Sequence, residues 1–157
     1  MKQYTHQTYL KASIDHVAKF HHDPQAIKFL TPPPVFVQIH RAEPLAENSK
    51  ADFTFWLGPI PVRWKALHTR VDLMHGFTDT QVVGPFQFWA HRHAFTELGA
   101  HSTLVIDEIQ AEYGTNLWSG LISRIMWLNL PILFGYRGWV MKRLLEKHSS
   151  ENGYQGE

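Results

Sequence analysis

Between Val35 and Tyr113 the chain alternates apolar, strand-like runs with short polar turns, and only afterwards offers one long apolar helical segment. Nothing else in the sequence constrains the fold as strongly. Consecutive strands joined by short turns pair as an antiparallel meander. A lone sheet must bury one face against another layer. Only the C-terminal segment is long and apolar enough to supply that layer. A curved sheet wrapped around one helix also leaves a space between the two.

The elements can be placed from their patterns. A first strand covers residues 4–10, with Tyr4, His6, Thr8 and Leu10 on one face. Ser13 is placed as an N-cap ahead of an apolar stripe of Ile14, Val17, Ala18 and Phe20. Asp23-Pro24 opens a second short helix, and Thr31-Pro32-Pro33-Pro34 stops it. Strands are expected over 35–39, 51–57, 62–74, 77–83, 88–97 and 103–113. The last helix runs over about 119–147, and Pro131 should kink or split it. The expected fold is α+β, a curved antiparallel sheet of about seven strands around a long C-terminal helix, in the order strand, two helices, six strands, helix. With 157 residues this is one domain: at that length a chain buries roughly 70% of its unfolded surface. The domain is placed at 1–148, and the polar residues 149–157 are read as a disordered tail.

One strand carries most of the chemistry. After the Gly84-Pro85 break, Trp89, His91, His93 and Phe95 recur at every second position. They therefore share one face of a strand. Two large rings flanking two imidazoles suit a cavity that is mainly apolar with a few placed polar groups.

Composition narrows the function classes. Lys+Arg number 15 and Asp+Glu 14, so no clustered positive charge marks a nucleic-acid binder. There is no cysteine, which excludes disulfides and thiolate chemistry and is compatible with a reducing cytoplasm, where the protein is expected. Met1 to Lys11 lacks the apolar run of a signal peptide. The segment 117–136 approaches the length of a membrane span, but Arg124, Ser119, Ser123, Asn129 and Pro131 interrupt it. A core-packed helix is the better reading, and a peripheral touch on a bilayer stays open.

With this element order in hand, the chain resembles the SRPBCC superfamily, the helix-grip fold of START lipid-transfer domains and polyketide cyclases. It looks closest to the small bacterial members labelled cyclase/dehydrase-like. The resemblance rests on Leu30-Thr31-Pro32-Pro33, the Trp64 strand, Phe77-x-Asp79-x-Gln81, Gly84-Pro85-Phe86 through Phe95, Thr103-x-x-x-Asp107 and Phe134-x-Tyr136-Arg137. Ser102-Thr103 replaces the usual Gly-Thr, and Ala111 stands where an aromatic is usual. The resemblance implies a cavity for a hydrophobic small molecule but no particular reaction.

The candidate ligand-binding residues are Phe55, Trp64, His68, Trp89, His91, His93, Phe95, Asp107, Phe134 and Tyr136. If the last turn sets Phe95 opposite Thr103, Asp107 lies opposite His91 and could orient it as a general acid/base. The plainer alternative is a satisfied polar network bracing the sheet. His91 and His93 also have the spacing of metal ligands, with His68 or Asp107 as a third, but hydrogen bonding is preferred and no metal or cofactor is expected. Tyr136-Arg137 could anchor the polar end of a ligand, but a solvated Arg137 on the helix surface is the preferred reading. His6, His16, His21, His22, His40, His75, His101 and His148 are read as mostly exposed. No Gly-x-Ser-x-Gly elbow or phosphate-binding glycine loop occurs. The function expected is binding or transport of a lipid, isoprenoid, quinone or polyketide-like compound by a monomer or homodimer. The alternative is a cofactor-independent cyclase, dehydratase or isomerase acting through His91, His93 and Asp107.

Overall fold

The computed structural model describes residues 1–151, with side chains described through Glu146. Its elements are β1 (Lys2–Leu10), α1 (Ile14–His22), α2 (Ala26–Phe29), β2 (Phe36–Ala42), β3 (Lys50–Leu57), β4 (Ile60–Asp72), β5 (Gly76–Val83), β6 (Phe88–Gly99), β7 (Ser102–Glu112), α3 (Leu117–Leu128) and α4 (Leu130–Glu151). All seven strands form one antiparallel sheet in the order β1-β7-β6-β5-β4-β3-β2. The long meander from β2 to β7 follows from its short turns, and β1 closes the far edge against β7. This is the α+β helix-grip arrangement.

Local chemistry sets the boundaries. Ser13 caps α1, its Oγ accepting from the His16 amide at 3.4 Å. Asp23 does not cap α2: its Oδ1 accepts from the Gln25 amide, holding a turn, and the helix starts later with Gln25 as its N-cap residue. Gln81 clasps the Gly84-Pro85 turn, donating from Nε2 to the Phe86 carbonyl at 2.7 Å and accepting from the Phe86 amide. At Gly76 (φ +129) β5 passes so close to β6 that any Cβ would collide with the His93 carbonyl.

The expected single C-terminal helix is two. The break falls at Asn129, which caps α3 while its carbonyl accepts from Leu133 of α4. Pro131 then sits in the first turn of α4, where its missing N–H costs nothing. The helices are bent by 49°. α4 continues to Glu151, three residues into the expected tail, and residues 152–157 of that tail lie outside the described residues. Among the described residues no single helix is long and apolar enough to cross a membrane, although the bent pair α3–α4 reaches the length and composition.

The core has two parts. One joins α1, the strand ends Leu10, Phe95 and Val105, and the second half of α4 through Val140, Met141 and Leu145. The other gathers Phe53, Trp64, Phe86, Trp89, Ile109, Leu130 and Phe134 under the bend between α3 and α4. The functional space opens within this second part.

Candidate functional site

A cavity of about 620 Å³ lies between the concave face of β3–β6 and a cover built from α1, the proline loop 31–34, the end of α3 and the first half of α4. Its wall is apolar on most sides. Phe53, Phe55, Trp64 and Trp89 meet edge to face in a continuous aromatic panel, with Trp64 and Trp89 centroids 5.5 Å apart. Ile125, Leu130, Leu133 and Phe134 face them from the helices. These positions follow from alternation: Phe53 pairs with Trp64 across β3 and β4, so both point to the same side.

The floor is polar. Ser49, His68, Asp79, His93, Asp107 and His91 form one chain of contacts. Ser49 Oγ accepts from the Ala46 amide at 3.1 Å, so its proton is free for His68 Nδ1 at 2.9 Å. His68 Nε2 donates to Asp79 Oδ1 at 3.0 Å, and His93 Nε2 donates to Asp79 Oδ2 at 3.1 Å. His91 Nε2 donates to Asp107 Oδ1 at 2.9 Å. His93 Nδ1 lies 3.0 Å from the same oxygen, within ion-pair distance but out of line for a hydrogen bond.

Carboxylates only accept, so the protons can be assigned by chemistry. His93, with one nitrogen toward each aspartate, carries both protons. Burial opposes its charge, but Asp107 and Asp79 outweigh burial and raise its pKa to about 9. Burial also works against the two aspartates' charge. Their imidazole partners prevail, His68 and His93 for Asp79, His91 and His93 for Asp107, and both carboxyls stay well below the usual range. Burial and then the charge of His93 push His91 down to about 4 despite its bond to Asp107. His91 is therefore neutral near pH 7, with its Nε2–H fixed on Asp107 and Nδ1 left as a free acceptor beside the cavity.

Of the residues expected from sequence, Phe55, Trp64, His68, Trp89, His91, His93 and Phe134 line this cavity. Phe95, Asp107 and Tyr136 do not. Phe95 packs in the other core part, its ring 4.7 Å from that of His21. Asp107 sits behind the two imidazoles, and it faces His93 across the strands rather than His91. A shift between Glu97 and Gly99 sets Phe95 opposite Val105, two residues from the expected register. An even slip keeps Asp107 on the same face, so the contact to His91 survives as a diagonal one. Tyr136 points out of the cavity, 5.9 Å from the Trp139 ring, beside an outer groove. The nitrogens of His93 are both spent on aspartates, so His91 alone of the two offers a ligand a free nitrogen.

Several lining residues stand outside the expected set, among them Phe53, Asp79, Leu133 and His21. Arg137, for which solvent was the preferred reading, lines the cavity as well. The helical spacing held the signal. His21 continues the buried stripe Ile14, Val17, Ala18 on α1, and Arg137 continues Leu130 and Phe134 on α4. His21 donates from Nδ1 to the Val17 carbonyl at 2.8 Å, and burial, then the charge of His93, lowers its pKa to about 4. His40, His75 and His101 are exposed as expected, whereas His6, His16 and His22 are half-buried, and the His148 side chain lies outside the described residues. Asp79, His91 and His93 each bring one donor atom within 4.8 Å of the others, which makes Asp79, rather than His68 or Asp107, the third member of the metal-like cluster.

No protein-family model and no curated protein matches the chain. Solved structures do match. A START superfamily protein from Mycobacterium smegmatis superposes with a TM-score of 0.66 at 12% identity, over 92% of this chain and 97% of that one. The di-domain ARO/CYC BexL of the BE-7585A biosynthetic pathway gives 0.66 at 15% identity, over 90% of this chain and 46% of that one. Norcoclaurine synthase from Thalictrum flavum, in complex with dopamine and hydroxybenzaldehyde, gives 0.64 at 16% identity, over 94% and 87%. At these identities the likeness speaks for architecture. The chain has the SRPBCC-type helix-grip fold shared by START proteins and aromatase/cyclases.

Proposed function

We propose that the chain binds one hydrophobic small molecule, of the lipid, isoprenoid, quinone or polyketide-like kind, in the cavity between the sheet and α3–α4. The carrying observation is the cavity itself: about 620 Å³, walled by aromatic and aliphatic side chains, with one free imidazole acceptor at its floor. Its size falls in the range of small-molecule sites, roughly 300–1,000 Å³. The polar end of the guest lies toward the polar side chains of the lining, which include His91 and Arg137. The ligands held by the Thalictrum enzyme on the same fold support an occupied cavity here.

The test is native mass spectrometry of the protein after incubation with a lipid extract, followed by thermal unfolding with each retained compound. A ligand at a hundred times its Kd stabilises by about 2.7 kcal/mol. At about 2–4 °C per kcal/mol for a domain of this size, the Tm should rise by about 5–10 °C. No adduct, and an unmoved Tm across sterol, quinone, fatty-acid and aromatic probes, would end the proposal.

The guest exchanges with a membrane through α3. Leu117, Trp118, Leu128 and Ile132 are 86%, 70%, 74% and 67% exposed, and Leu121 and Ile125 extend the same surface. Ile125 and Ile132 also line the cavity, so the outer apolar stripe is continuous with the inner wall. No Asp or Glu occurs between Glu112 and Glu146, while Arg124, Arg137, Lys142 and Arg143 do, a charge pattern that suits an anionic bilayer. Flotation with anionic vesicles should carry the wild type and leave Leu128→Asp behind. A concentration-dependent dimer burying the stripe, with no flotation, would replace the bilayer by a second copy.

One observation favours a second reading as an acid/base enzyme. Asp107 fixes the tautomer of His91 at 2.9 Å and leaves its other nitrogen facing the substrate space, the relation a general base needs. Conversion of a copurified ligand by the wild type but not by His91→Ala, with binding retained, would establish it.

A further inference from the structure

Arg137 is the cavity residue that the polar floor leaves unmatched. It reaches the wall from α4, its guanidinium lying 5.0 Å from the Phe134 ring centre, and its Nε donates to the Leu30 carbonyl at 3.2 Å. Leu30 carries a second end of the same cover, just before the proline loop. Among the described residues Arg137 makes no ion pair, and its two Nη groups have no hydrogen-bond acceptor from the chain. Burial lowers its pKa, against the more distant pull of Asp107 and Asp79. Those aspartates are already occupied by His68, His91 and His93. Arg137 is half-buried, so its Nη groups are left to solvent or to a ligand in the cavity. Its free edge has the fork geometry that takes a carboxylate through two parallel bonds.

We infer that the ligand is an amphiphile with a carboxylate head, seated on the Nη groups of Arg137, with its apolar tail along the Phe53, Phe55, Trp64 and Trp89 panel. This inference rests on the cavity-binding reading and specifies its ligand class. The neighbours of the seat fit an anion. His21 on α1 and His91 on β6 are neutral and can only add positive charge. His93 on β6 pairs directly with Asp79 on β5 and Asp107 on β7, and those carboxylates act on Arg137 only through space, without a hydrogen bond to its Nη groups. A fatty alcohol or an ester would fill the same space but give those Nη groups a weaker acceptor than a carboxylate.

The full chain is titrated with palmitate, cetyl alcohol and methyl palmitate below their aggregation limits, following tryptophan emission, to which Trp64 and Trp89 in the wall contribute. Hydrogen bonds to a charged group predict that palmitate binds about ten- to hundredfold more tightly than the alcohol or ester. Arg137→Met should erase that preference, so that palmitate binds no more tightly than the alcohol. Arg137→Lys, which keeps the charge and loses the fork, should retain part of the preference. It serves as the folded control if the methionine variant unfolds. Equal binding of acid, alcohol and ester by the wild type overturns the carboxylate seat and leaves the cavity reading standing. Preference for the acid that survives Arg137→Met overturns the seat as well. Failure of all three amphiphiles to bind overturns the seat, while the cavity reading falls only if the sterol, quinone and aromatic probes fail as well.

Discussion

The buried imidazolium of His93 makes the stability of this protein fall as pH rises through the mildly alkaline range. In the unfolded chain an imidazole titrates near 6.5. In the folded protein Asp107 and Asp79 raise His93 to about 9. A folded pKa above the unfolded one gives stability that is complete below about 6.5 and lost as pH climbs to about 9. At 1.36 kcal/mol per pH unit the loss is about 3 kcal/mol, which lowers the Tm by roughly 6–12 °C. On the acid side the sign reverses. His91 and His21, held at about 4, resist charging in the fold but charge freely once unfolded, so stability also declines as pH falls from 6.5 toward 4. The depressed aspartates add to that decline at still lower pH. The stability maximum should therefore lie near pH 6.5. Urea unfolding at half-unit pH steps, followed by tryptophan emission, measures the curve, and the ring-carbon NMR shift of His93 reads the titrating group directly. Stability that stays level or rises between pH 6.5 and 9, or a His93 ring that titrates below 7, would refute the charge assignment on which the site description stands.

Two further outcomes follow from the same contacts. Gly76→Ala drives a Cβ into the His93 carbonyl at a φ of +129, so it should cost at least about 1–3 kcal/mol; urea midpoints compare it with Gly58→Ala, where a Cβ meets nothing within 4 Å and only the backbone strain remains. Phe134→Ala removes a fully buried ring from the cavity wall. It should cost about 3–5 kcal/mol in thermal unfolding without ligand, and less when a bulky guest refills the gap.

The sequence was most legible where periodicity was strict. Trp89, His91, His93 and Phe95 share a face because alternation admits no other outcome once residues 88–97 are extended. The same rule placed Asp107 on that face although its register was off by two. It could not say which residue sits deep and which lines a hollow, so Phe95, in perfect phase with His93, turned out to be core. Depth depends on where α1 and α4 press on the sheet, a long-range fact that strand alternation does not encode. His21 was hidden, and the anchoring role of Arg137 ranked second, for a different reason. A charged or polar residue on an apolar helical stripe is usually solvated by its reach, and here both stripes run past the edge of packed core into the cavity wall. The two-helix ending was foreshadowed by Pro131, but the break two residues earlier needs the Asn129 cap, whose competition with helix continuation the apolar pattern does not reveal.

The cavity's size bears on what the folded state contains. Enclosed dry space in a core costs about 24 cal/mol per Å³. This cavity is open to solvent, so without a guest it holds water. Water can occupy the floor, where His91, Asp79 and Arg137 offer the two to four polar partners that a buried water needs. It gains little against Phe53, Phe55, Trp64 and Leu133, which offer none. A guest that is polar at one end and apolar along its length satisfies both halves at once, and the free energy that the empty wall costs becomes its binding energy. The polar chain from Ser49 to His91 makes this workable. It ties β4, β5, β6 and β7 together through side chains on the concave face, so the sheet holds its curvature without the packed core that would otherwise be needed to hold it.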